Sequence, residues 1–208
     1  VNSGSSANLL SIAAACNPMR KKYLKKNDEV LIPAICWSTS LWPIVQYGLK
    51  PVFVDIDINN LNLNIEDLVS KITKKTKAIM CVHILGLSTN MDKLRKICKQ
   101  KNLILFEDTC ESLGSKYNNV NLGNYGEFGS YSFYYSHQIT SGEGGMVVCK
   151  NLEDYNILKS LRSHGWSRDT KFHNFYKKKF KNIDEKFLFI NSGYNLRPLD
   201  VTAAIANN

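Results

Sequence analysis

Over the first 165 residues, apolar runs rich in branched side chains alternate with amphipathic stretches of helical length. Such alternation is the pattern of a mainly parallel sheet covered by helices: a strand buried on both faces reads as a continuous apolar run, while a covering helix is apolar on one side only. The spacing predicts helices over residues 7–16, 39–47, 65–72, 91–100 and 152–162, and strands over 29–32, 51–54, 77–82, 103–107, 129–134 and 145–149. After Gly165 the alternation lapses, and the basic, aromatic stretch 171–186 reads as a loop or insertion without a clear period. Order returns at 192–200, where a turn leads into a last helix. There is no internal repeat and no low-complexity linker, so the reading is one α/β domain.

Composition narrows the class. A chain of 208 residues that is 44% hydrophobic and 22% charged can build a substantial core. No apolar run approaches the roughly 20 residues that cross a bilayer, and the first residues lack the basic and apolar parts of a secretion signal. The expectation is a cytoplasmic protein with no membrane partner. Six cysteines, at 16, 36, 81, 98, 110 and 149, stand apart with no Cys-x-x-Cys pair, and read as buried reduced thiols with no metal site. The net charge of +9 is spread over helix-like faces, with one dense run at Lys177, Lys178, Lys179 and Lys181 and no nucleic-acid-binding motif. A solvated face that helps to attract a phosphate-bearing substrate is the plainer account, and no nucleic-acid partner is expected. The chain begins within what reads as a ligand-binding turn and ends within a helical pattern, so a fragment is expected, with a first segment and a small C-terminal domain outside it.

Three motifs carry chemistry. Ser3-Gly4-Ser5-Ser6-Ala7-Asn8 precedes a helix of small residues. Glycine permits close backbone approach, and a helix N-terminus offers unpaired N–H groups to a phosphate, although a serine N-cap alone accounts for the same letters. Leu103-Ile104-Leu105-Phe106-Glu107-Asp108 is a strand whose carboxyl end delivers acidic groups to the crevice where open α/β sheets bind ligands. Asp108 there can pair with a protonated heteroaromatic nitrogen, or simply cap a helix. In the third motif Tyr131, Phe133 and Tyr135 alternate with serines, followed by His137 and the glycine turn Gly142-Glu143-Gly144-Gly145. A histidine in that setting is a candidate proton carrier at neutral pH. His83, His164 and His173 lack such a setting and read as structural or exposed.

Together, in this order and across residues 1–208, the motifs resemble the DegT-type family of pyridoxal-phosphate sugar aminotransferases. The resemblance implies a three-layer α/β/α fold with a mostly parallel sheet, the aspartate aminotransferase-like fold type I, with residues 1–208 as the cofactor-binding large domain. It implies that Gly4, Ser5 and Ser132 bind the cofactor phosphate and that Asp108 pairs with the pyridine nitrogen. Trp37, in Pro33-Ala34-Ile35-Cys36-Trp37, would stack on the ring, although a large indole can equally be core. Asn195 would reach the cofactor phosphate of a neighbouring subunit in a homodimer. Arg197 would bind substrate charge or pair with a nearby acid.

One departure redirects the activity. The aminotransferases have lysine where this chain has His137, and the next lysine, Lys150, lies beyond the glycine turn. A histidine can move a proton but cannot hold an aldehyde cofactor covalently as lysine does. The variant resembles the 3-dehydratase branch, and the stretches at 37–39, 55–59, 136–137, 164–166 and 193–199 are similar to its members acting on GDP-4-keto-6-deoxymannose. The branch implies pyridoxal or pyridoxamine phosphate as cofactor, L-glutamate as amino donor and a nucleotide-linked 4-keto-6-deoxyhexose that loses its C3 hydroxyl, with His137 as the base. A related iron–sulfur type carries clustered cysteines after its Trp-Gly-Arg-Asp segment. Here Trp166-Ser167-Arg168-Asp169 is followed by no cysteine, so no iron–sulfur cluster is expected. Two other readings stay open: an aminotransferase that makes an amino sugar, and a non-catalytic protein that keeps the pocket for ligand binding.

Overall fold

Alternate residues of the central strands enter two different cores. In a computed structural model that describes residues 1–207, Val30, Ile32, Ala78, Met80, Ile104 and Phe106 face one layer of helices. Leu31, Ile79, Cys81 and Leu105 face the other, as the two-residue period of a strand requires.

In chain order the elements are α1 (Gly4–Ala15), β1 (Glu29–Pro33), α2 (Ser38–Gln46), β2 (Lys50–Val54), β3 (Ile56–Asp57), β4 (Asn62–Leu63), α3 (Ile65–Lys71), β5 (Thr76–Val82), α4 (Met91–Lys101), β6 (Ile104–Asp108), β7 (Lys116–Tyr117), β8 (Val120–Asn121), β9 (Phe128–Ser132), β10 (Gly145–Cys149), α5 (Leu152–Arg162), α6 (His173–Lys179) and α7 (Asp200–Ala206). Six strands form the main sheet in the order β10-β9-β6-β5-β1-β2. All its pairs are parallel except β9 with β10. Core residues of α1, α2 and α5 cover one face, and those of α3 and α4 the other. The fold is thus a three-layer α/β/α sandwich with a mostly parallel sheet.

The chain runs from β1 to β2 in one direction, then returns to β5 on the other side of β1 and continues outward to β6 and β9. The carboxyl ends of β1 and β5 therefore diverge at a topological switch point, which leaves a crevice beyond them. α1 lies over this region with almost every residue buried, the condition of a helix made of small and apolar side chains all round.

The predicted helices and sheet strands are all present, with ends shifted by up to three residues. α1 starts at Gly4 instead of residue 7, because the Ser3 hydroxyl accepts from the Ser6 N–H and begins the helix earlier. One prediction is corrected: the stretch 171–186 contains the helix α6. All of its side chains are at least partly exposed, so no apolar period marks it. Tyr176 stacks on Phe180, and Glu185 pairs with Lys177 and with His173 at 3.4 Å. The thiol expectation is also narrowed: all six cysteines are free, but only Cys81 and Cys98 are fully buried. Among the described residues, no helix is long and apolar enough to cross a membrane.

Candidate active site

A cleft of about 950 Å³ opens at the switch point. It is lined by the carboxyl ends of β1, β5 and β6, by the first turn of α1 and by the segment after β9. Gly4, Ser5, Trp37, Asp108, Ser132 and His137 all line it. Residues up to 133 positions apart in sequence are thereby brought to one wall-lined space, as the order of the three motifs predicts.

At its floor the first turn of α1 runs against β9. A Cβ on Gly4 would lie 2.5 Å from Cβ of Ser132 and 2.9 Å from Sγ of Cys110, so only glycine permits this approach. Ser3 is the N-cap, which confirms the structural reading of that serine without displacing the other. Among the described residues, the Gly4 and Ser5 amides have no acceptor, as expected at the first positions of a helix. The Ser5 hydroxyl reaches Thr39 Oγ1 at 3.1 Å, and buried Ser132 accepts from the Tyr134 N–H at 3.3 Å. Free amides, three hydroxyls and a positive helix end make an anion cradle.

Asp108 ends β6 and is buried. The Asn8 amide and the Ser40 hydroxyl both donate to Oδ2 at 2.7 Å, and the Cys110 N–H donates to Oδ1 at 3.1 Å. Asn8 is fixed in turn, since its Oδ1 accepts from the Ser130 hydroxyl at 2.6 Å. Three donors thus converge on its two oxygens and fix their direction. Among the described residues no cation pairs with it. A buried carboxylate at a cleft, oriented but without a counter-ion, fits a ligand that brings its own positive charge. Asn8 and Ser40 had no assigned role in the sequence. Their signal is a polar side chain on a helix face that otherwise meets core, where burial demands a partner.

Glu107, one residue earlier, does not enter the cleft. Its Oε1 accepts from the Tyr125 and Gly126 amides at 2.7 and 2.5 Å, and its Oε2 accepts from Gly123 N–H and meets His83 Nε2, both at 2.9 Å. Adjacent strand residues point to opposite faces, so of the two acids only Asp108 is delivered to the crevice. Burial disfavours charge on His83, but the Cys81 sulphur 4.0 Å from Nδ1 and the Glu107 carboxylate outweigh it and raise His83 to about 10. Burial works against Glu107 as well, yet His83 and the loop amides hold it below the ordinary carboxylate value of 4.5. The Glu107 contribution is present above that value and lost as pH falls through its lower folded one. The His83 contribution is full below 6.5 and lost as pH rises toward 10. The stability advantage of the protein over Glu107→Gln should therefore be greatest between these two ordinary values and shrink on both sides. Thermal unfolding of both proteins across pH checks this, and a difference that is flat with pH would contradict it.

Trp37 is 72% exposed at the cleft edge, which excludes the core reading. His137 is half-buried in the turn after β9, where its N–H bonds to Tyr134 O at 3.0 Å and its ring meets the Tyr134 ring edge-on at 6.1 Å. Gln138 ties the same turn to the loop after β6 by donating to Glu111 O at 2.7 Å. Asn195 and Arg197 are exposed and lie outside the cleft of their own chain. Arg197 sits 3.4 Å from Asn195 Oδ1 and from His164 Nε2, and near the Trp166 ring rather than an acid.

The model of the DegT/DnrJ/EryC1/StrS aminotransferase family matches residues 1–208. The chain belongs to that family. The GDP-4-keto-6-deoxy-D-mannose 3-dehydratase of Escherichia coli is 46% identical over 207 residues, covering 99% of this chain and 53% of the relative. A solved E. coli GDP-4-keto-6-deoxy-D-mannose-3-dehydratase with bound hydrated PLP superposes with a TM-score of 0.91 at 45% identity, covering 100% of this chain and 54% of that one. Another, a GDP-4-keto-6-deoxymannose-3-dehydratase with a trapped PLP-glutamate geminal diamine, gives 0.89 at 42% identity, with the same coverage. The chain spans about half the length of the curated relatives it matches.

Proposed function

We propose that residues 1–208 form the cofactor-binding large domain of a pyridoxal/pyridoxamine-phosphate-dependent 3-dehydratase that acts on a nucleotide-linked 4-keto-6-deoxyhexose. GDP-4-keto-6-deoxymannose is the proposed substrate and L-glutamate the amino donor, as the names of the similar proteins suggest. The observation that carries this reading is the combination in one cleft of an uncompensated, oriented carboxylate, Asp108, with a histidine, His137, and no lysine.

In this reading the Gly4 and Ser5 amides with the Ser5 and Ser132 hydroxyls hold the cofactor phosphate. Asp108 holds the ring nitrogen protonated, and Asn8 and Ser40 keep its carboxylate aimed. Trp37 covers the ring face. When bound, the cofactor supplies an electron-accepting conjugated system and an amine that condenses with the sugar's C4 ketone. The His137 imidazole would take the proton whose removal allows the sugar's C3–O bond to break, and giving that proton to the departing hydroxide, which leaves as water, would reset it. A lysine at 137 would retain the cofactor covalently and favour amino transfer. An imidazole carries protons only.

We further propose a cytoplasmic homodimer in which Asn195 of one subunit reaches its neighbour's cofactor phosphate. The exposed apolar rim of Ile35, Trp37 and Tyr135 at the cleft supports a covered surface there. The overall reading is tested by incubating the intact protein with the cofactor, glutamate and candidate nucleotide 4-ketohexoses, then identifying products by mass. Ammonia, 2-oxoglutarate and a 3-deoxy-4-keto sugar are expected from the GDP sugar. An aminosugar would establish an aminotransferase instead, and cofactor retention without turnover would establish a binding protein.

A further inference from the structure

A second cavity, of about 520 Å³, lies at the opposite pole of the sheet, beside the C-terminal half of α4 and the start of β6. Its charged lining is Lys22, Arg95, Lys96, Lys99 and Lys150 against a single acid among the described residues, Glu127. That acid is already committed, because its Oε2 pairs with Arg20 at 2.7 Å.

The clustering exceeds what the fold needs. Cations in a last helical turn offset the helix dipole, and this accounts for Lys99. Arg95 and Lys96 lie before that turn, while Lys22 arrives from the loop after α1 and Lys150 from the end of β10. Lys22 closes α4 by donating to the Asn102 carbonyl at 2.6 Å and to its side chain at 2.8 Å, and Lys150 donates to Tyr125 O at 2.6 Å. Each ammonium keeps further donors free. Arg95 rests over the Tyr125 ring at 5.6 Å, which presents its guanidinium edge. Among the described residues, Arg95, Lys96 and Lys99 have no acidic partner. The lysines register the crowding: Lys150 is pulled below its ordinary value by burial and then by the Arg95 charge, and Lys22 by burial and, against Glu127, by Arg20.

We propose that this cavity binds a small anion with two or more linked phosphate groups, of the size of a nucleoside diphosphate. Donors on three separate segments offer partners to more acceptor oxygens than one phosphate group carries, and a cavity of about 520 Å³ has room for linked phosphates. Guanidinium and ammonium groups are the usual partners of such oxygens. The site is independent of the cleft and of the activity proposed for it.

The test is calorimetric titration of the intact protein with inorganic pyrophosphate and with adenosine diphosphate, in excess pyridoxamine phosphate so that the cofactor part of the cleft is filled, the variants below separating this cavity from the substrate part. Saturable binding that weakens with added salt is expected, with at least a tenfold loss of affinity in Lys96→Glu/Lys99→Glu and a smaller loss in Lys96→Gln/Lys99→Gln. Both positions are exposed, so the variants should fold, and circular dichroism verifies it. Tighter binding of the nucleotide than of pyrophosphate assigns a nucleoside pocket, and equal binding assigns recognition of the phosphates alone. Absence of saturable binding for both probes, or an affinity unchanged in both double variants, overturns the proposal.

Discussion

Replacing His137 with asparagine is expected to lower dehydration by about 10²- to 10⁴-fold, the usual worth of a positioned general base, while cofactor affinity stays nearly unchanged. The reason is positional. His137 lines the cleft in a turn held by its own N–H to Tyr134 O and by Gln138 to Glu111 O, not by its ring, so the imidazole is free for chemistry and dispensable for folding. Steady-state ammonia release and equilibrium cofactor binding separate the two effects. Changing His137 to lysine should also lower dehydration, and should restore covalent capture of the aldehyde cofactor, read as a borohydride-stable mass increment at that residue. Undiminished dehydration in either variant would remove His137 from its role.

Asp108→Asn is expected to weaken cofactor binding by about ten- to a hundredfold and to lower turnover with it. The substitution removes the charge that a cationic ring nitrogen would meet. It also replaces one oxygen by an NH2: with the amide oxygen toward Asn8 and Ser40 the NH2 meets the Cys110 N–H, and when flipped it meets the Asn8 and Ser40 donors, so at least one hydrogen bond is lost. Titration followed by the cofactor's absorbance measures the loss. Ser40→Ala should move affinity in the same direction by less, because two of the three donors to Asp108 survive. An Asp108→Asn protein with unaltered affinity would show that the carboxylate faces no cation.

Much of this was legible because the relevant signals are local. Apolar runs such as those at 77–82 and 103–107 state both the strands and their burial on two faces, and Gly4 with Ser5 and Ser6 marks a helix start at a close backbone approach. The two small hairpins β3–β4 and β7–β8 were not legible, since two-residue strands have no period to detect. Nor was α6, whose stability rests on Tyr176 against Phe180 and on ion pairs to Glu185 outside the helix. Within the site, Asp108 was readable but its supports were not. Asn8 and Ser40 acquire meaning only when α1 and α2 are laid over the end of β6, a tertiary fact. Glu107 shows the converse, since strand alternation alone assigns it to the face opposite Asp108, and the His83 pairing then explains why an acid is tolerated there.

Proton transfer by the imidazole is tested most directly in heavy water. The intact protein, loaded with pyridoxamine phosphate and given 2-oxoglutarate, should wash deuterium into the methylene group of the cofactor, as resolved by mass spectrometry, and His137→Asn should do so at least about a hundredfold more slowly. Equal rates of deuterium entry in the two proteins would contradict the account.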